Sequence, residues 1–134
     1  MRGFLIGMFV AAYVCGGRGL GAHHSQAMFE AGQITLKGTV TKFQYTSPHI
    51  AVFLTIEMDG KRVPFRLEGG SPHTLRALGW TPSVLRVGDT VSVTFSRAKD
   101  GSRVGLLRSL EKADGTALPG GSGGSGGGPD QCGA

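Results

Sequence analysis

The sequence predicts a mainly β fold: a small five-stranded OB-like barrel with one short helix between strands 3 and 4. Three observations carry that prediction. Apolar and polar residues alternate with a period of two through most of the chain from Ile34 onward. That pattern breaks once, at a capped helical stretch beginning at Ser71. The order of three strands, helix and two strands, fitted into about 85 residues, is the order of a small OB barrel. A β-sandwich would want about seven strands.

The first strand is expected from Ile34 to Tyr45, with Thr39, Thr41, Phe43 and Tyr45 on one face and Val40, Lys42 and Gln44 on the other. Ser47-Pro48-His49 ends it, because proline cannot donate to a ladder. The second strand runs from Ile50 to Met58, with Ile50, Val52, Leu54, Ile56 and Met58 inward. Asp59-Gly60 is a hairpin turn, since both residues tolerate positive φ. Lys61 to Glu68 forms the third strand, with Val63, Phe65 and Leu67 inward. Pro64 places this strand at an edge or bulge.

The helix is expected over residues 71–79. Ser71 caps it, Pro72 suits its first turn and Gly79 ends it. Leu75 and Leu78 then face the core, and next comes the chain's largest apolar anchor, Trp80. The fourth strand is Thr90 to Phe95, with Val91, Val93 and Phe95 inward. Asp100-Gly101 turns into the fifth, Val104 to Lys112.

Residues outside 34–118 read differently. Residues 1–22 have the three parts of a secretory signal: Arg2, an apolar run from Phe4 to Val14, and a small-residue end at Gly21-Ala22. The apolar run is too short to span a bilayer as a helix. Val14 before Cys15 is a poor fit to a lipidation site, and a cut after Gly17 would leave Arg18 in front. No later segment is long and apolar enough to span a membrane, so the expected product is a periplasmic or secreted protein with no membrane span. Residues 23–33 form an amino-terminal arm, 34–118 the barrel, and 119–134 a Gly/Ser-rich tail expected to be disordered.

Cleavage after Ala22 leaves 112 residues, enough for one small core. It removes Arg2 and Arg18, so the net charge falls from +5 to +3. The basic residues are scattered. Modest charge, few aromatics and export argue against nucleic acid as a partner. With Cys15 removed, Cys132 has no internal disulfide partner.

The candidate site rests on the four histidines. His23 and His24 are adjacent at the expected cut. His49 and His73 occupy a repeated tripeptide, Ser47-Pro48-His49 and Ser71-Pro72-His73. A cut after Ala22 frees the His23 amine beside its own ring, two nitrogen donors of the kind copper(II) prefers. His49, in the loop between strands 1 and 2, supplies a third if the arm folds over it. His24 is the alternative ligand. Met28 is a soft donor better suited to copper(I), and His73 fits a capping role better than ligation. A cut before Ala22 instead makes Ala22-His23-His24, which chelates copper or nickel through the amine, two backbone amides and the His24 ring. The bland alternatives are a solvated His-His turn and a His49 ring bonded to a nearby carbonyl.

No catalytic set is present: no nucleophile elbow, no cysteine–histidine pair after cleavage and no phosphate-binding loop. The expected product is therefore a binding protein and not an enzyme, with copper(II) as candidate cofactor. The competing reading is an envelope module that binds a protein or glycan through its barrel face, using Phe43, Tyr45, Phe53 and Trp80.

Taken together, Ala22-His23-His24-Ser25, Thr35-Leu36-Lys37-Gly38-Thr39-Val40, Ser47-Pro48-His49, Leu78-Gly79-Trp80 and Gly88-Asp89-Thr90-Val91 resemble a bacterial family of small exported proteins, domain-of-unknown-function family 6152. The resemblance covers about residues 22–118. It implies a signal peptide and a compact β domain, and brings no established activity. Members show Asn-Pro-His with an aromatic residue two before the Asn. Here Tyr45, Pro48 and His49 match and Ser47 replaces the Asn. The match puts His23, His24 and His49 ahead of His73.

Overall fold

In the computed structural model of the chain, residues 27–121 are described. They form strands β1 (Ile34–Gln44), β2 (Ala51–Met58) and β3 (Lys61–Glu68), helix α1 (Pro72–Arg76), and strands β4 (Thr90–Arg97), β5 (Val104–Lys112) and β6 (Ala117–Pro119). Neighbours along the sheet run β3-β2-β1-β4-β5-β6, and a further β3–β5 pairing closes the barrel. That closing pair is parallel, Arg66 to Glu68 against Val104 to Leu106. All other strand pairs are antiparallel. The expected five-stranded barrel is therefore present, with a sixth short strand added.

The core follows the alternation of β2 closely. Ile50, Val52, Leu54 and Ile56 are all buried, and they meet Phe65 and Leu67 of β3, Val91, Val93 and Phe95 of β4, and Leu107 and Leu110 of β5. Apolar burial of this kind is the main stabilising term for a domain without a disulfide. β1 departs from simple alternation. A bulge between Val40 and Lys42 inserts one extra residue. Before it, Gly38 and Val40 point inward; after it, Phe43 and Tyr45 pack on the core. The expected grouping of Thr39 and Thr41 with Phe43 and Tyr45 thus fails at Thr41, because a bulge shifts the two-residue period by one.

The helix is shorter than expected. Ser71 caps it by accepting a hydrogen bond from the Thr74 N–H at 3.2 Å, and Pro72 stands at its start. It ends at Arg76, and a turn carries the chain to Gly79 at φ 94. Leu75 is fully buried, whereas Leu78 is 39% exposed and does not face the core as expected. Five helical residues complete little more than one turn, so Leu78 has already left the helical face.

The carboxyl-terminal boundary also moves. Pro119, expected in a disordered tail, lies in β6, and Gly120 is buried. The Trp80 indole N–H donates to the Pro119 carbonyl at 2.8 Å. Gly120 donates to the Arg108 carbonyl and accepts from the Gly70 N–H. The passage is cut to glycine: a β-carbon on Gly70 would come within 2.7 Å of the Gly121 carbonyl oxygen, and one on Gly120 would collide with the Leu107 backbone. The other tail residues expected to be disordered, 122–134, lie outside the described residues, as does the leader. No helix among the described residues is long and apolar enough to cross a membrane.

Candidate functional site

The β1–β2 loop and the β3–α1 connection meet at one end of the barrel. Ile50 donates to the Gly70 carbonyl and Gly69 donates to the Ile50 carbonyl, both at 3.0 Å. The Tyr45 hydroxyl lies 3.1 Å from the Pro72 carbonyl and 3.3 Å from the Trp80 carbonyl. These bonds place both Ser-Pro-His tripeptides at the same end. Within the first, the Ser47–Pro48 peptide is cis.

His49 occupies the edge of this corner, half exposed. Its Nδ1 lies 3.2 Å from Glu68 Oε1. The other carboxylate oxygen, Oε2, receives Arg66 Nη1 at 3.4 Å. The carbonyl-bonded turn weighed for His49 is thus replaced by a carboxylate partner. Glu68 can hold a proton on Nδ1, which leaves Nε2 with its lone pair for a metal. His73 is exposed in the first turn of α1, as its capping position suggested.

The arm is described from residue 27. Phe29 bridges Ala98, Glu30 donates to the Arg97 carbonyl, and Lys99 donates to the Met28 carbonyl. Met28 is therefore held by its backbone at the β4–β5 turn. Its side chain is 61% exposed, and no contact joins it to His49 among the described residues. His23 and His24, the leading and alternative amino-terminal ligands, lie outside the described residues. Among the described residues no group of three or more His, Cys, Asp or Glu is placed to hold a metal.

The aromatic residues offered for a barrel-face interface divide. Trp80 is fully buried, and its ring centroid lies 5.9 Å from that of Phe43, which in turn lies 6.0 Å from Tyr45. These three belong to the core side. Phe53 alone of the four points outward, from the middle of β2. Lys42 of β1 and Arg66 of β3 pair with it in register. Lys42 Nζ stands 5.3 Å from the ring centroid and Arg66 Cζ 6.0 Å. The sequence offers Phe53 as a contact residue but not its two cationic neighbours, since they stand beside it only once the three strands pair. The signal for Phe53 is an apolar residue at an odd position of a strand whose even positions fill the core.

Two carboxyl groups are held below the usual aspartate range, Asp100 by hydrogen bonds from Ser102 and Asp114 by hydrogen bonds from Thr116. Both are turn residues, distant in role from the His49 corner.

A model described as a family of unknown function, DUF6152, matches residues 12–109. The chain belongs to that family. The DUF6152 match ends within β5, so β6, Gly120 and Gly121 lie beyond the matched residues. No curated protein matches the chain. Among solved structures, it is similar to the mitochondrial single-stranded DNA binding protein Rim1 from S. cerevisiae, at 11% identity, over 63% of this chain and 97% of that chain, with a TM-score of 0.46.

Proposed function

We propose that this DUF6152 protein is an exported copper(II)-binding protein in which the processed amino terminus and His49 share one metal ion. The carrying observation is the His49–Glu68 pair, 3.2 Å apart at a half-exposed edge. Metal-ligating histidines commonly donate their second ring nitrogen to a carboxylate, which fixes the ring and raises its basicity. Glu68 stands in that relation to His49. Such a site would take the amine and ring of His23 and Nε2 of His49, the three nitrogen donors that suit copper(II). Its role is binding and not catalysis.

The arm's anchor supports this arrangement. Phe29 bridges Ala98, Ala98 donates to the Val104 carbonyl, and Val104 pairs with Arg66 of β3. Those three steps are strand spacings, together about 14 Å around the barrel. Arg66 is two residues from Glu68. Five residue steps separate His23 from Met28, whose backbone is held by Lys99, a span of at most about 17 Å when extended. The shared site requires that this segment run back from the β4–β5 turn toward β3. A terminus at Ala22 would instead bind through His24 without His49.

The test is copper(II) titration of the processed chain beginning at His23, read by its paramagnetic spectrum. Stoichiometric binding with three nitrogen donors is expected. Glu68→Gln should weaken it by about 10–100-fold, as loss of an orienting carboxylate does at other metal sites. If His49→Ala leaves affinity and spectrum unchanged, the shared site is wrong.

A further inference from the structure

The geometry points to a second binding surface, beside the His49 corner and joined to it through the Arg66–Glu68 contact: the outer face of β1–β2–β3, centred on Phe53, docks an acidic polysaccharide. An outward phenylalanine in mid-strand spends apolar surface that the core does not need. Phe53 is partly exposed, and the row that contains it runs Lys42, Phe53, Arg66 across three strands. The two cations therefore stand on either side of the ring, their strands about 10 Å apart. Along β2 the neighbours on the same face are Ala51, which is buried, and Thr55, which is partly exposed. The partly exposed ring thus has a positive charge on each flank.

Three other occupants fit this face less well. A single strand of nucleic acid binds by stacking bases on free aromatic faces; here Lys42 and Arg66 lie over the ring. A protein interface of ordinary size is depleted of charge at its centre; here the centre is a cation–aromatic–cation row. An anionic bilayer is attracted by clusters of about 4–8 basic residues; here two cations, Lys42 and Arg66, flank the ring. An extended chain of sugars with recurrent carboxylates matches what is present. Its acid groups meet Lys42 and share Arg66 with Glu68, whose 3.4 Å contact is to Nη1 and uses one of the guanidinium's several N–H donors; its hydroxyls meet Thr55 and Gln44, and its C–H edges meet the Phe53 rim.

The experiment is titration of the full chain with polygalacturonate, alongside uncharged dextran and oligothymidylate as probes. Polygalacturonate should bind, should weaken with added salt, and should lose about tenfold or more in affinity with Lys42→Ala plus Arg66→Ala. Dextran should not bind, and oligothymidylate should bind more weakly. Lys42→Glu provides a second variant at an exposed position outside the core, so a folding failure of the double variant leaves the question answerable. Equal retention of dextran, preference for oligothymidylate, or wild-type affinity in the folded Lys42→Glu protein would overturn the assignment.

Discussion

Ser47-Pro48-His49 and Ser71-Pro72-His73 share three residues and lie at the same end of the barrel, yet their surroundings put them to different uses. In the first copy the chain turns through a cis Ser47–Pro48 peptide, and His49 meets the Glu68 carboxylate. In the second, Ser71 caps α1, Pro72 opens it, and His73 is an exposed residue of its first turn. The residues on the carboxyl side of each tripeptide separate the two. Thr74-Leu75-Arg76 continues as helix around the buried Leu75. Ile50-Ala51-Val52 enters a strand rich in β-branched residues, which favours the pleated sheet. A histidine becomes a candidate ligand here through its neighbours in space, and the tripeptide alone does not confer that.

The seam between the two copies is the first place to break this comparison. Gly69 and Gly70 bond Ile50 on one side, and Gly70 bonds Gly120 on the other. Gly70→Ala would push a β-carbon to 2.7 Å from the backbone oxygen of Gly121, which has no flexible side chain to yield. We expect a loss of about 2–3 kcal/mol in urea unfolding, the usual cost of overpacking a tight site. An unchanged midpoint would show that the two loops do not depend on this seam.

The next largest contrast is between the two histidines themselves. His49→Ala should reduce copper(II) affinity by at least about tenfold, the loss of one donor with a positioned carboxylate. His73→Ala should leave it unchanged. Parallel titrations decide the matter, and equal losses would make the two copies equivalent toward the metal.

Much of this architecture is legible in the chain. β2 and β3 announce themselves because each has one buried face, so the period of two is kept along their length. Pro64 is a true edge signal: β3 meets β5 only at Arg66 to Glu68, so Pro64 has β2 on one side and no strand on the other. Other features are hidden for physical reasons. The bulge at Thr41 leaves no composition mark, since Thr41 and Lys42 suit an exposed strand in either phase. β6 is three residues long and is fixed by tertiary bonds from Trp80 and Arg108, not by its own pattern. Leu78 sits at helical spacing from Leu75, but the helix has ended before it. Within the candidate site, the histidine positions are visible in the sequence. Glu68 as a partner is not, because it is 19 residues away and adjacent only once β2 and β3 pair.

Tyr45 ties the first loop to the second copy, so Tyr45→Phe tests whether that tie matters. The hydroxyl serves the Pro72 and Trp80 carbonyls. Its removal should cost about 1–1.5 kcal/mol, in the range of a net hydrogen bond, with the ring packing against Phe43 retained. A cost below about 0.5 kcal/mol would mean that water replaces the hydroxyl and that the two loops are joined by Gly69 and Gly70 alone.

The smallest effect sharpens the comparison most directly, because it changes the same atom in both copies. Ser71 Oγ accepts from the Thr74 N–H at 3.2 Å and lies 3.0 Å from the Thr74 hydroxyl. Ser71→Ala therefore removes a helix cap and should cost about 1 kcal/mol. Ser47 is exposed and caps no helix, so its substitution by Ala should stay within about 0.5 kcal/mol of wild type. The short α1 offers few internal bonds of its own, so loss of the cap should be felt locally as faster amide exchange at Thr74 and Leu75. If Ser47→Ala proved the costlier change, Ser47 would be holding the first loop through a bond of its own, and the first tripeptide would be the structural copy.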